Sequence, residues 1–127
     1  MNIFFYGLYM DPDILKERGV DAAPIGSGHL DGYRLRIGKN ATLIAEEGAK
    51  AWGMVYSLSE EESERLYGDL PQYEPKTVVI HTKNGEAVSA WCYLLKEIPD
   101  EGEKNNDYWE KLQRCFVMYD LKIPTDV

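Results

Sequence analysis

The sequence predicts an α+β fold in a single domain, residues 1–127. A chain of this length with 44% hydrophobic residues buries an adequate core without disulfides or metals. Short runs of apolar, β-branched and aromatic residues are separated by turn signals, and three segments show helical spacing. Because the predicted strands and helices occur at uneven intervals, the pattern favours an α+β arrangement over a doubly wound parallel sheet.

The first predicted elements are a buried strand, a tight loop and a short helix. The strand covers residues 2–6. Asp11 fits a helix N-cap and Pro12 the first helical position, which together predict a helix over residues 13–18. Gly19 is typical of the position just after a helix end.

Alternation of residue types predicts three strands in the next part of the chain. They cover residues 28–37, 41–45 and 51–58. Glu46-Glu47-Gly48 is interpreted as the turn between the second and third of these strands.

The second half of the chain contains two helix signals and one hairpin signal. Ser59-Glu60-Glu61-Glu62 fits a capping box at the start of a helix that ends at Gly68. Asn84-Gly85 predicts a hairpin between strands at residues 77–82 and 88–95. After a polar segment at residues 99–106, apolar residues recur at helical spacing in a last helix: Tyr108, Leu112, Cys115, Phe116 and Tyr119.

Charge and composition argue against several classes of function. The 22 acidic and 14 basic residues give a net charge of -8, which disfavours binding to nucleic acids or anionic membranes. Cys92 and Cys115 are interpreted as core residues, and the spacing of Cys and His residues indicates no metal site. Without a signal peptide or a bilayer-spanning stretch, the expected location is the cytoplasm.

Three motifs, taken in order, resemble the γ-glutamylcyclotransferase-like superfamily and its avirulence-induced-gene-like and γ-glutamylamine cyclotransferase branch. Tyr6-Gly7-Leu8-Tyr9-Met10 stands where that family has Tyr-Gly-Ser-Asn-Leu/Met. Gly53-Met54-Val55-Tyr56-Ser57-Leu58 is similar to the family's Gly-Val-Val-Tyr-x-Leu strand. Tyr73 precedes Val78-Val79 as the family's Tyr-x-x-x-x-Val does.

The resemblance implies a small mixed β-barrel of five to six strands with flanking helices. It also implies a substrate-binding loop formed by Tyr6, Gly7, Leu8, Tyr9 and Met10. Backbone N–H groups of such a loop, next to a helix N-terminus, are suited to a carboxylate or amide oxygen. Leu8 and Tyr9 replace the family's polar Ser-Asn pair. Alternatively, the side chains of Leu8, Tyr9 and Met10 pack against the barrel.

The reaction implied by the resemblance converts a γ-glutamyl amine or peptide to 5-oxoproline and releases the amine, without a cofactor. Tyr73 and Arg34 are further candidates for substrate binding, Arg34 through a two-pronged contact with a carboxylate. Alternatively, Arg34 is a surface charge paired with a nearby glutamate.

The residue expected to act as acid and base departs from the family pattern. The family has a Glu four residues after the last leucine of the acidic helix, which counted from Leu66 is Leu70. Asp69 is the nearest substitute for the catalytic carboxylate, and Glu74 is a second candidate. Alternatively, Asp69 is a solvated turn residue beside Gly68.

Two hypotheses about function therefore stay open. The first is a cofactor-independent cyclotransferase that uses Asp69, and the sequence leans towards it. The second is a catalytically impaired family member that binds a small carboxylate or a protein partner, because both the catalytic Glu and the polar loop residues are replaced.

Overall fold

A computed structural model describes residues 1–100, 104–124 and 127 of the chain. Part of the polar segment predicted at residues 99–106 therefore lies outside the described residues. The described chain forms five strands, a short 3₁₀ helix and three α-helices, which confirms the α+β prediction. The strands are β1 (Asn2–Phe5), β2 (Ala23–Ile37), β3 (Ala41–Ser57), β4 (Tyr73–Thr82) and β5 (Ala87–Leu95). The helices are the 3₁₀ helix Leu8–Met10, α1 (Pro12–Glu17), α2 (Glu60–Tyr67) and α3 (Asn106–Met118).

The five strands close into a barrel in the order β1-β3-β2-β4-β5, as the family resemblance implied. Two antiparallel hairpins, β2–β3 and β4–β5, provide most of the strand pairing. β2 meets β4 through only two residue pairs, Gly28 with Thr82 and His29 with His81. β1 is antiparallel to β3 and meets β5 in parallel at Ile3 and Trp91. The barrel is therefore closed by two short contacts, one between the two hairpins and one between β1 and β5.

The course of β3 contradicts the predicted turn between two of the strands. Glu46-Glu47-Gly48 is not a turn between two strands, because β3 continues through it from Ala41 to Ser57. The pairing shifts there, so that residues 46–49 of β3 lie opposite the single residue Gly32 of β2. Gly32 and Gly48 both have φ +81°, which glycine adopts without strain. These glycines bend the two-stranded ribbon rather than reverse it.

The helix signals of the sequence are confirmed by the local geometry. The Asp11 side chain accepts a hydrogen bond from Asp13 N, and Pro12 is the first residue of α1. At α2, Ser59 Oγ accepts from Glu62 N at 3.1 Å, while Glu62 Oε1 accepts from Ser59 N at 3.0 Å. Each bond satisfies a backbone donor that a helix start leaves unpaired.

The core fills the barrel and the space under the helices. All of Ile3, Phe4 and Phe5 in β1 are buried, and α3 packs Leu112 and Phe116 against the same cluster. Cys92 and Cys115 are buried free thiols, as the sequence predicted. Of the helices in the described part of the chain, none has the length and apolar character needed to cross a bilayer.

Candidate functional site

A cavity of about 300 Å³ lies at one end of the barrel. It is bounded by the end of β1 and the 3₁₀ helix, α1, the loop after α2, the β2–β3 turn and the first turn of α3. Its lining residues are Phe5, Tyr6, Gly7, Leu8, Tyr9, Ile14, Arg18, Asn40, Ala41, Tyr67, Leu70, Tyr73 and Tyr108. The cavity thus collects residues from segments far apart in sequence.

Most of the loop that the sequence singled out does reach this cavity. Tyr6, Gly7, Leu8 and Tyr9 line it, and so does Tyr73. Met10 is not among the lining residues, and its side chain is fully buried. The Met10 carbonyl oxygen accepts a hydrogen bond from the Tyr56 hydroxyl at 2.8 Å. The side chain of Met10 packs in the core, as the alternative held, and its role in substrate binding stays a prediction.

The backbone donor of the loop is engaged within the chain. Leu8 N donates to the Tyr108 hydroxyl oxygen at 3.1 Å. A Cβ atom on Gly7 would lie 2.3 Å from the same oxygen, so only glycine allows Tyr108 to approach this closely. A ligand oxygen that used the Leu8 N–H group would have to displace or share it with the tyrosine.

One wall of the cavity is aromatic and is formed by the rings of Phe5, Tyr9, Tyr67 and Tyr73. Tyr67, which no sequence signal distinguished, lies at the centre of this aromatic wall. Its ring stacks on Tyr93 with centroids 3.9 Å apart and 6° between the planes. It meets Tyr9 edge to face at 5.8 Å, and Tyr9 meets Phe5 in the same way at 5.9 Å. The Tyr67 hydroxyl forms no hydrogen bond with any residue that the structure describes. It is therefore a donor that a ligand in the cavity can use.

The other phenols of the cavity differ in what they can donate. The Tyr6 hydroxyl donates to Tyr93 O at 2.6 Å, and the Tyr73 hydroxyl donates to Ala41 O at 2.7 Å. The Tyr108 hydroxyl accepts from Leu8 N, which leaves its own hydrogen for a ligand. Tyr67 and Tyr108 are thus the two phenols with a donor directed to no described protein atom.

Burial keeps these phenols protonated. Desolvation raises the pKa of Tyr67 well above its usual value. Desolvation also raises the pKa of Tyr108 to about 12, although the bond from Leu8 N acts in the opposite direction. At neutral pH both groups are hydrogen-bond donors and neither is a base.

The loop after α2 places Leu70 in the cavity and leaves Asp69 outside it. Leu70 lines the cavity, while Asp69 is exposed and is not a lining residue. Two backbone bonds hold this loop, from Leu70 N to Tyr67 O at 3.0 Å and from Tyr73 N to Leu70 O at 3.1 Å. The structure therefore does not bring Asp69 to the other candidate residues. Glu74 is exposed on β4 and does not line the cavity either.

The cationic residue at the cavity is Arg18 rather than Arg34. Arg34 Nε lies 3.4 Å from Glu46 Oε1, the ion pair with a nearby glutamate that the alternative held. Arg34 does not line the cavity, and its role in substrate binding stays a prediction. Arg18 is exposed and lines the cavity, which puts it at the rim. No sequence signal distinguished Arg18, because it follows α1 as an ordinary basic residue at a helix end.

The described residues include no group of three His, Cys, Asp or Glu side chains arranged to hold a metal ion. Among the lining residues of the cavity, none is an acid or a histidine. The groups that the cavity offers to a ligand are phenol hydroxyls, one guanidinium, the Asn40 amide and apolar surface.

Comparison with known proteins gives a consistent family and fold. Residues 3–111 match the family model described as "Gamma-glutamyl cyclotransferase, AIG2-like". No curated protein matches the chain.

Solved structures share the fold at low sequence identity. One described as a gamma-glutamyl cyclotransferase is 18% identical, with a TM-score of 0.78 over 95% of this chain and 80% of the other. YkqA from Bacillus subtilis is 22% identical, with a TM-score of 0.79 over 96% of this chain and 49% of YkqA. A protein from Arabidopsis thaliana is 25% identical, with a TM-score of 0.70 over 92% of this chain and 85% of the other.

Proposed function

We propose a binding function for this chain, which belongs to the gamma-glutamyl cyclotransferase, AIG2-like family. The chain binds a small carboxylate in the cavity and has lost efficient cyclotransferase activity. The observation that carries the proposal is the side chain of Leu70. It lines the cavity at the position where the resemblance places the family's catalytic Glu.

Ring closure of a γ-glutamyl group needs a base at the reacting nitrogen. The α-ammonium must lose a proton, its nitrogen must then bond to the γ-carbonyl carbon, and the bond from that carbon to the leaving amine must break as the amine takes a proton. A carboxylate with a raised pKa performs both transfers in such sites. Leu70 has no ionisable group, and the raised pKa values of Tyr67 and Tyr108 make them poor bases at neutral pH.

The remaining features of the cavity suit binding. The hydroxyls of Tyr67 and Tyr108 can donate to a carbonyl or carboxylate oxygen. Phe5, Tyr9 and Leu70 supply apolar surface for the body of a ligand. A cavity of about 300 Å³ has room for a molecule of the size of a substituted glutarate or 5-oxoproline.

Restoring the carboxylate tests the proposal. Wild-type protein, Leu70→Glu and Leu70→Gln are incubated with γ-glutamyl butylamide, and 5-oxoproline is measured over time. We expect negligible product from the wild-type protein and from Leu70→Gln, and more than about 100-fold faster product formation by Leu70→Glu, since a positioned acid–base group contributes about 10²–10⁴-fold. Leu70→Gln matches the size of the new side chain without its base.

The binding part of the proposal needs its own measurement. Calorimetric titration of the wild-type protein with 5-oxoproline and glutarate is expected to give saturable binding that Tyr67→Phe weakens. Rapid 5-oxoproline formation by the wild-type protein would contradict the loss of activity. If neither 5-oxoproline nor glutarate binds, the proposed carboxylate site is wrong.

Family membership favours a second candidate, a cyclotransferase for a γ-glutamyl amine or peptide with Asp69 as acid and base. This reading requires the exposed Asp69 to turn towards the cavity when substrate binds. It is supported if the wild-type protein forms 5-oxoproline and Asp69→Asn abolishes the turnover. The matched control is Asp13→Asn, at an exposed carboxylate in α1 that does not line the cavity.

A further inference from the structure

Arg18 carries the only formal charge among the described residues that line the cavity. Its guanidinium carbon lies 5.9 Å from the centroid of the Tyr9 ring, within the range of a cation–π contact. The Tyr9 ring is in turn held by edge contacts with Phe5 and Tyr67. The charge of Arg18 is thus positioned against the aromatic wall of the cavity.

The guanidinium group of Arg18 differs from that of the neighbouring Arg65 in its contacts with carboxylates. Arg65 donates to Gly19 O at 2.6 Å and to Glu61 Oε1 at 3.0 Å, so its guanidinium is engaged within the protein. Arg18 forms no ion pair with any carboxylate in the described ranges. The chain has a net charge of -8, and yet the one formal charge at this cavity is positive. The cavity therefore favours an anion.

The apolar side chain of Leu70 disfavours ligands that carry a positively charged group. An ammonium group in the cavity would find no carboxylate among the lining residues, and Arg18 would repel it. A buried ammonium without an anionic partner loses hydration that neutral hydroxyl and amide oxygens replace only in part. Leu70, at the position of the family's catalytic Glu, therefore removes two things at once. It removes the base for catalysis, and it removes the anionic partner of a ligand amino group.

We infer that the cavity selects small carboxylates that carry no ammonium group, and that Arg18 is the specificity-determining residue for the carboxylate. This inference rests on the proposed function, namely that the cavity binds a small carboxylate. It adds the class of ligand: an acid with an apolar or amide-containing body and no amino group, such as a des-amino analogue of a γ-glutamyl compound.

Three matched ligands separate the preference for a carboxylate from the discrimination against an ammonium group. N-butyl glutaramate has a carboxylate and an amide, γ-glutamyl butylamide adds an α-ammonium group, and N-butyl glutaramide replaces the carboxylate by a neutral carboxamide. Calorimetric titration of the wild-type protein is expected to rank N-butyl glutaramate first. We expect binding of γ-glutamyl butylamide to be at least about tenfold weaker, because its ammonium is unpaired. We expect binding of the neutral diamide to be about fivefold weaker, because Arg18 is exposed to solvent.

Variants assign these preferences to residues. Arg18→Gln is expected to remove the preference for N-butyl glutaramate over the neutral diamide. Leu70→Glu is expected to reverse the order of N-butyl glutaramate and γ-glutamyl butylamide. Arg114→Gln is the control, because Arg114 is an exposed residue of α3 that does not line the cavity.

The outcomes distinguish this inference from the proposed function. If none of the three ligands binds, the proposed function fails and the inference fails with it. If the wild-type protein binds γ-glutamyl butylamide as tightly as N-butyl glutaramate, the inference is overturned while the carboxylate site stands. Unchanged carboxylate preference in Arg18→Gln overturns the role of Arg18.

Discussion

The hydroxyl oxygen of Tyr108 and the backbone nitrogen of Leu8 are 3.1 Å apart, and this hydrogen bond joins the first turn of α3 to the loop after β1. Tyr108 thereby satisfies a donor of a loop that has little regular pairing of its own. The bond links the position of α3 to the shape of the cavity, because both residues line it.

Removing the Tyr108 hydroxyl is expected to destabilise the protein. Tyr108→Phe leaves the half-buried Leu8 N–H without its partner and lowers the free energy of unfolding by about 1 kcal/mol. Urea denaturation followed by circular dichroism measures the change. Tyr33→Phe is the control, because the Tyr33 hydroxyl contacts the exposed Lys76. Equal losses in the two variants would contradict a specific role of the Leu8 bond.

The buried phenols predict a loss of stability at alkaline pH. Burial raises the pKa of Tyr108 to about 12 in the folded chain, whereas a tyrosine in an unfolded chain titrates at about 10. The unfolded state therefore releases its proton first, so the stabilisation is complete below about pH 10 and is lost as the pH rises through about 12. Unfolding free energies measured across this window should fall less steeply in Tyr108→Phe than in the wild-type protein.

His29 predicts a loss of stability at acid pH. Burial lowers the pKa of His29, and this effect outweighs the attraction of Asp31, whose Oδ1 lies 3.1 Å from His29 Nε2. Lys50 and His81 lower the pKa further. The unfolded chain then binds a proton more readily, so the contribution of His29 is complete above about pH 6.5 and decreases as the pH falls below it.

Chemical denaturation between about pH 7 and about pH 5 tests this dependence. We expect the fall in unfolding free energy to be smaller in His29→Gln than in the wild-type protein. The fall should persist in His81→Gln, which retains the imidazole at position 29. A pH dependence unchanged by His29→Gln would show that other groups cause it.

The capping box of α2 predicts a local contribution to stability. Ser59→Ala removes the acceptor of the Glu62 N–H group and is expected to lower the free energy of unfolding by about 1 kcal/mol. Thermal and urea denaturation measure the loss. Ser89→Ala, at an exposed strand position, is expected to have a much smaller effect. If both substitutions act alike, the cap does not stabilise α2 in the folded protein.

Features that depend on residues close together in the sequence, such as helix caps and tight turns, could be predicted from the sequence. Asp11 caps α1 and Ser59 caps α2 because each side chain meets a backbone group two or three residues away. Gly85 has φ +88°, as the hairpin signal Asn84-Gly85 requires. The predicted turn at residues 46–48 failed for a non-local reason: β2 pairs with β3 on both sides of the irregularity, and this pairing keeps the strand continuous.

The sequence by itself determined the family, the α+β class, the helix starts and four of the cavity residues in the loop after β1. Only the tertiary structure decided that Tyr67, Tyr108 and Arg18 meet at that loop, because they come from three helical regions. It also decided that Leu70 faces the cavity and Asp69 faces solvent. Adjacent side chains in a loop point in different directions, and the direction of each depends on packing between distant segments that local signals do not encode.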